Sequence, residues 1–64
     1  MEQIGKRLRE LREASRLTQT QVAAIVGVQQ SRINRYETGK STPSPEVFIK
    51  YAEFFDVSMD FLYC

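Results

Sequence analysis

Apolar residues recur at helical spacing near the start of the chain. Ile4, Leu8 and Leu11 fall on one face of a helix, and charged residues occupy its other sides. This pattern predicts a first helix over residues 3–15. Leu17 follows it, and we expect this side chain to fill the corner before the next helix.

The next segment predicts two short helices around a tight turn. Thr18 and Gln21 are spaced as a capping box, which predicts the start of a helix over residues 18–26. Gly27 can adopt the left-handed conformation that ends a helix. A third helix over residues 29–38 follows, and a second glycine comes just after it.

Two further helices complete the pattern. Ser44 can cap a helix that has Pro45 in its first position, which predicts a fourth helix over residues 45–55. Ser58 can cap a fifth helix over residues 58–63. The apolar residues of the fourth helix at buried-face spacing are Phe48, Tyr51, Ala52 and Phe55. No strand pattern or repeat is present in the sequence, so the predicted fold is all-α.

Composition narrows the class of protein. With 64 residues, 42% apolar and 27% charged, residues 1–64 are expected to form one small globular domain. No apolar run is long enough to cross a membrane, and no signal-peptide core is present. Cys64 is the only cysteine, so no internal disulfide can form, which favours a reducing cytoplasm.

The net charge is only +1, but it is unevenly distributed. Residues 1–16 carry five basic and three acidic groups, and residues 17–42 carry three basic and one acidic group. Residues 43–64 carry one basic and four acidic groups. This asymmetry suits a protein with one DNA-facing side, although a mixed, solvated surface explains it as well.

Two helices joined by a glycine turn form a helix-turn-helix, whose second helix can lie in the DNA major groove. The sequence resembles the Cro/repressor-type helix-turn-helix family, to which the lambda repressor belongs. The matching residues are Thr18, Gln19, Val22, Ala23, Gly27, Val28, Ile33, Tyr36, Glu37, Gly39, Lys40, Pro43, Val57, Ser58 and Leu62. The resemblance implies a five-helix, lambda repressor-like domain that binds specific double-stranded DNA as a transcriptional regulator, often a repressor.

The exposed part of the third predicted helix carries side chains suited to base recognition. The candidate base contacts are Gln29, Gln30, Ser31, Asn34 and Arg35. Glutamine can pair with adenine and arginine with guanine in the major groove. In the family, the positions of Gln30, Ser31 and Arg35 face the bases most directly. The alternative is an ordinary polar helix face. Gln29 is a poor N-cap, so we expect the first turn of this helix to be the loosest, or to be ordered by DNA.

Phosphate contacts are expected around the same unit. The candidates are Gln19, Arg32, Thr38, Lys40 and Ser41. Gln19 opens the second helix, where backbone N–H groups favour an anion. By resemblance, its side chain also braces Gln30; the alternative is a simple surface residue. Many relatives have a basic residue where this chain has Ser41 and Thr42, which weakens the expected salt dependence.

The resemblance also implies a partly buried ion pair between Arg12 and Glu37. The alternative is two separate surface charges, which would contribute little.

Catalysis and cofactors are not expected. The chain has no histidine, and one terminal cysteine cannot form a zinc site. The sequence Gly39-Lys40-Ser41 is similar to the end of a phosphate-binding loop, but it follows a helix where that motif needs a strand. The remaining alternatives are a protein-interaction module without DNA binding, an antitoxin, or a restriction-control regulator.

The last two predicted helices carry more apolar residues than one buried face needs. The surplus residues are Val47, Ile49, Phe54, Phe61 and Tyr63. A contiguous exposed patch of this kind marks a contact surface. We therefore expect a homodimer through the C-terminal helices on a near-palindromic operator, or cover by a segment of a longer protein.

Overall fold

Five α-helices follow one another in the computed structural model, which describes the backbone of residues 2–63 and the side chains of residues 3–62. The helices are α1 (Glu2–Ala14), α2 (Gln19–Val26), α3 (Gln30–Glu37), α4 (Pro45–Phe55) and α5 (Met59–Tyr63). No strand occurs in the described part of the chain, and the predicted all-α fold is confirmed. Cys64 and the side chain of Tyr63 lie outside the described residues.

Side-chain caps define where the later helices start. The Oγ1 of Thr18 accepts a hydrogen bond from the backbone N–H of Gln21, and the Gln21 side chain accepts one from the Thr18 N–H. Ser44 and Ser58 accept similar bonds at the starts of α4 and α5. These caps precede the helices, so α2 and α5 begin one residue later than predicted. Gln29 caps α3 without a side-chain hydrogen bond.

Four helices end on a residue in the left-handed conformation. Gly27 and Gly39 do so after α2 and α3, with φ of 77° and 79°, where no Cβ opposes it. Arg16 and Asp56 do so after α1 and α4, with φ of 58° and 55°. The next N–H then bonds back to a carbonyl five residues earlier, in the pairs Leu17–Arg12, Val28–Ala23, Lys40–Arg35 and Val57–Ala52. All four ends therefore share one closing geometry, although glycine marks only two of them.

One apolar core joins the five helices. Its buried members are Ile4, Leu8, Val22, Ala23, Val26, Ile33, Tyr36, Val47, Phe48, Tyr51 and Leu62. Val47 was expected among the surplus surface residues, and that prediction is wrong. It stands one helical turn before Tyr51, so the buried face of α4 is wider than the predicted stripe. Phe55, at the end of the stripe, is only partly buried.

Gly5 fixes how closely α1 approaches α3. A Cβ at this position would overlap the backbone carbonyls of Tyr36 and Glu37. Only a residue without a side chain allows the backbone of α1 to lie against the end of α3. The sequence signal was a lone glycine inside a helical pattern, which can indicate close packing. The close approach also places α1 beside the C-terminal end of α3, where Glu37 is buried.

Candidate nucleic-acid interface

The outer face of α3 presents polar side chains to solvent, while Ile33 and Tyr36 anchor its inner face in the core. The exposed residues on this outer face are Gln30, Ser31, Asn34 and Arg35. At 100° per residue they span one continuous side of the helix. Gln29 is exposed beside its start, and Arg32 is exposed on the flank. The predicted base-contact residues therefore share one accessible surface.

A hydrogen bond joins the starts of α2 and α3. Nε2 of Gln30 donates to Oε1 of Gln19 at 2.6 Å. Nε2 of Gln19 donates in turn to Oε1 of Glu37 at 3.1 Å. The glutamine pair that the family resemblance implies is thus in contact, and it is connected to a buried carboxylate that was not expected to take part.

Arg12 and Glu37 form a two-pronged ion pair between α1 and α3. Nε of Arg12 lies 2.7 Å from Oε2 of Glu37, and Nη2 lies 3.0 Å from Oε1. Their side chains are 13% and 2% exposed. Nη1 of Arg12 also donates to the backbone carbonyl of Leu17 at 2.9 Å. The hydrogen bond to Glu37 raises the pKa of Arg12, so the charge on Glu37 is matched by a permanent cation.

The loop after α3 is closed by its own hydrogen bonds. The N–H groups of Lys40 and Ser41 both bond to the carbonyl of Arg35, at 2.9 and 3.2 Å. The hydroxyl of Thr38 donates to the carbonyl of Asn34 at 2.8 Å. While that bond lasts, Thr38 cannot donate to a phosphate. The exposed ammonium of Lys40 is therefore the strongest phosphate-binding group that the loop offers.

Burial of Glu37 makes this surface cationic. It is the only acidic residue in residues 17–42, and its charge is matched by Arg12. Arg32, Arg35 and Lys40 stay exposed around it. A modest positive charge in the sequence thus becomes a cationic face in three dimensions, as phosphate binding requires.

Within the described residues, no group of histidine, cysteine, aspartate or glutamate could hold a metal ion. No described helix is long and apolar enough to cross a membrane.

The helix-turn-helix family model matches residues 8–62 of this chain. The chain therefore belongs to the helix-turn-helix family, and the resemblance to its Cro/repressor type is confirmed. This family consists of DNA-binding transcription regulators and is not a class of enzymes.

Curated relatives carry the same unit inside longer proteins. The chain is 44% identical over 54 residues to the HTH-type transcriptional repressor RghR of Bacillus subtilis, covering 83% of this chain and 40% of RghR. It is 40% identical over 55 residues to the antitoxin PezA of Streptococcus pneumoniae, covering 86% of this chain and 35% of PezA. The chain thus spans well under half the length of either relative.

Solved structures share the fold over nearly the whole chain. The P22 c2 repressor, in complex with a synthetic operator, superposes with a TM-score of 0.90 at 24% identity, covering 97% of this chain and 94% of the repressor. The restriction-modification controller protein C.AhdI of Aeromonas hydrophila superposes with a TM-score of 0.86 at 33% identity, covering 95% and 92%.

Proposed function

We propose that the protein binds specific double-stranded DNA as a transcriptional regulator and represses by occupying a promoter. The observation that carries this proposal is the exposed face of α3, where base-recognising side chains that include Arg35 are accompanied by two further exposed cations, Arg32 and Lys40. Family membership and the relative RghR, a transcriptional repressor, support it. In this role, residues 1–64 act as one DNA-binding domain, in the cytoplasm and without a cofactor.

The proposal divides the surface into two kinds of contact. Base edges are read by Gln29, Gln30, Ser31, Asn34 and Arg35. Phosphates are bound by Gln19, Arg32, Lys40 and Ser41, and by Thr38 if its hydroxyl leaves the Asn34 carbonyl. Helix-turn-helix proteins read bases from the exposed side and start of the second helix, which is where the first group lies.

The proposal includes a homodimer formed through α4 and α5. Ile49, Phe54 and Phe61 are 48%, 47% and 37% exposed, which is a high exposure for large apolar side chains. The Arg7 guanidinium lies 5.0 Å from the ring centroid of Phe61, so that ring is partly covered within one chain. Two-fold pairing would place two copies of α3 about 34 Å apart on a near-palindromic operator.

A second candidate function is control of a restriction-modification or toxin–antitoxin operon. The similarity to C.AhdI and to the antitoxin PezA favours it. The same DNA-binding surface would serve either role, so the two candidates differ in the regulated genes. A protein-interaction module without DNA binding is the alternative from another class, and it leaves the cationic, base-recognising face without a role.

Selection of bound sites from random double-stranded DNA tests the proposal. The wild-type protein should enrich one motif, with binding that weakens as salt rises. Arg9→Ala is a matched control, because Arg9 is an exposed arginine on α1 that pairs with Glu13 at 3.2 Å. It should keep the motif, whereas Arg35→Ala should lose preference at one base. Failure of the wild-type protein to enrich any sequence would reject DNA recognition and leave the interaction module.

A further inference from the structure

We infer that Glu37 is a positioning residue for base recognition. It fixes which end of the Gln19 amide faces Gln30, and Gln19 in turn fixes which end of the Gln30 amide faces the DNA. The inference rests on the proposed DNA-binding function. It concerns a buried residue that the DNA does not reach.

The hydrogen-bond relay from Glu37 through Gln19 to Gln30 starts at a group that can only accept hydrogen bonds. Both oxygens of an ionised carboxylate accept hydrogen bonds, and neither can donate. Arg12 donates to both oxygens of Glu37, at 2.7 and 3.0 Å, which holds the orientation of the carboxylate. The side chain is 2% exposed, so water competes little for it.

The second link is the Gln19 amide. One end of a glutamine amide donates and the other accepts, and a rotation of 180° exchanges them. Glu37 accepts from Nε2 of Gln19 at 3.1 Å, so the reversed amide would set oxygen against oxygen. Oε1 of Gln19 is therefore held toward Gln30.

The third link carries this polarity to the DNA-facing surface. Oε1 of Gln19 accepts from Nε2 of Gln30 at 2.6 Å, which consumes one of its two hydrogens. Gln30 keeps one donor hydrogen and its acceptor oxygen, in a fixed order. That pair matches N7 and the N6 amino group of adenine in the major groove. Gln30 is thus oriented before DNA arrives, which lowers the ordering cost of binding.

Arg12→Met combined with Glu37→Met tests the relay, because this paired variant removes the carboxylate that accepts from Gln19 and leaves no buried charge unpaired. The Gln19 amide can then turn either end toward Gln30. We expect the preference for adenine at the base pair read by Gln30, identified with Gln30→Ala, to fall by about fivefold or more. A fivefold change is within the range of coupling that is usual for residues in one hydrogen-bond network. Affinity for non-specific DNA should stay within about twofold, since the phosphate contacts remain.

A purely structural role predicts a different result. It would weaken binding to all sequences alike, in proportion to the lost folded fraction. Val22→Ala, a core change matched for thermal stability, supplies that comparison and should keep the adenine preference. A folded Arg12→Met, Glu37→Met protein with the wild-type preference at this base pair would overturn the inference.

A second variant keeps the test decisive if the paired methionine variant does not fold. Gln19→Met removes the middle link with little change of volume and leaves the Arg12–Glu37 pair intact. It should lower the adenine preference about as far as the paired variant does, and an unchanged preference would overturn the relay. If the wild-type protein shows no sequence preference, the proposed function fails. NMR of the Gln30 side-chain amide then still decides the relay: one of its hydrogens should exchange slowly in the wild-type protein, and that protection should be lost in the paired methionine variant.

Discussion

Gln19 and Gln30, at the starts of α2 and α3, are joined by a 2.6 Å hydrogen bond across the turn of the helix-turn-helix. The bond connects a residue proposed to bind phosphate with a residue proposed to read a base. This connection predicts that the two side chains do not act independently on DNA.

A double-mutant cycle with Gln19→Ala and Gln30→Ala measures that dependence. On operator DNA we expect a coupling energy above about 0.5 kcal/mol, the level usual for residues in one network. The coupling should shrink on non-specific DNA, where no adenine edge is in register. Titrations of the wild-type protein and the three variants on both DNAs give the values. Strict additivity on the operator would leave Gln19 as a phosphate contact alone.

Truncation of Arg35 and of Lys40 to alanine should have different effects on DNA binding. Arg35→Ala should cost about 1–3 kcal/mol on the operator and relax preference at one base, since a bidentate guanine contact is lost. Lys40→Ala should weaken binding to all sequences alike, and it should reduce the slope of log binding constant against log salt concentration by about one. Binding isotherms at several salt concentrations separate the two effects. The roles are reversed if Lys40→Ala changes the preferred sequence and Arg35→Ala does not.

Removing one partner of the Arg12–Glu37 pair should destabilise the domain strongly. Glu37→Ala and Arg12→Ala each leave a buried charge or its donors unpaired, at a cost of about 3–5 kcal/mol. A domain of this size has little stability to lose. Glu37→Gln should cost less, because its amide oxygen still accepts from the guanidinium. Thermal melts of all three variants test the ranking, and alanine variants that melt near the wild-type temperature would contradict it.

Tyr51 should be replaceable by phenylalanine with a gain in stability. Its side chain is fully buried, and its hydroxyl makes no hydrogen bond with the described residues. An unpaired buried hydroxyl costs about 1–3 kcal/mol, so Tyr51→Phe should raise the free energy of unfolding by about 1 kcal/mol. That gain corresponds to a melting temperature about 4–8 °C higher. A lower melting temperature would show that the hydroxyl has a partner.

The wild-type protein and Tyr51→Phe should also differ in how their stability changes at alkaline pH. Burial raises the pKa of Tyr51 above its ordinary value of 10.0, so the folded state keeps a proton that the unfolded state releases. Stability is therefore complete below pH 10 and falls as the pH rises above it. Denaturant unfolding at pH 9 and pH 11 should show a larger loss for the wild-type protein than for Tyr51→Phe. Equal losses would exclude this contribution.

The proposed dimer predicts concentration-dependent association through α4 and α5. Phe54→Ser removes an exposed ring from the surface and should weaken self-association while leaving the fold intact. Ile25→Ser is a control, because Ile25 is an exposed apolar residue on α2 instead. Sedimentation equilibrium of the three proteins, free and on the operator, measures the effect. A wild-type protein that stays monomeric in both conditions would remove the dimer.

Local chemistry explains which features could be predicted from the sequence. Caps and glycine stops depend on a few neighbouring residues, so Thr18 and Gly27 could be interpreted directly. The left-handed ends at Arg16 and Asp56 could not, because nothing in those residue types requires a positive φ. Likewise, the inward position of Val47 depends on how α4 packs against the other helices, which a stripe of spacings along one helix does not specify.

The candidate interface divides in the same way. The exposed face of α3 followed from its own helical spacing, so its residues could be named in advance. The hydrogen bond between Gln19 and Glu37 joins residues 18 positions apart and depends on the placement of α2 beside α3. No pattern within either helix indicates it.

The bare backbone at Gly5 has a consequence for the opposite side of the molecule. The backbone of α1 at Gly5 lies directly against the carbonyls that end α3. The absence of a side chain at Gly5 therefore sets the spacing between the two helices. Any larger residue at this position would push α3 outward or tilt it. The distance of α3, the helix proposed to read DNA, from the core is therefore set from its inner side, at a residue outside the proposed interface.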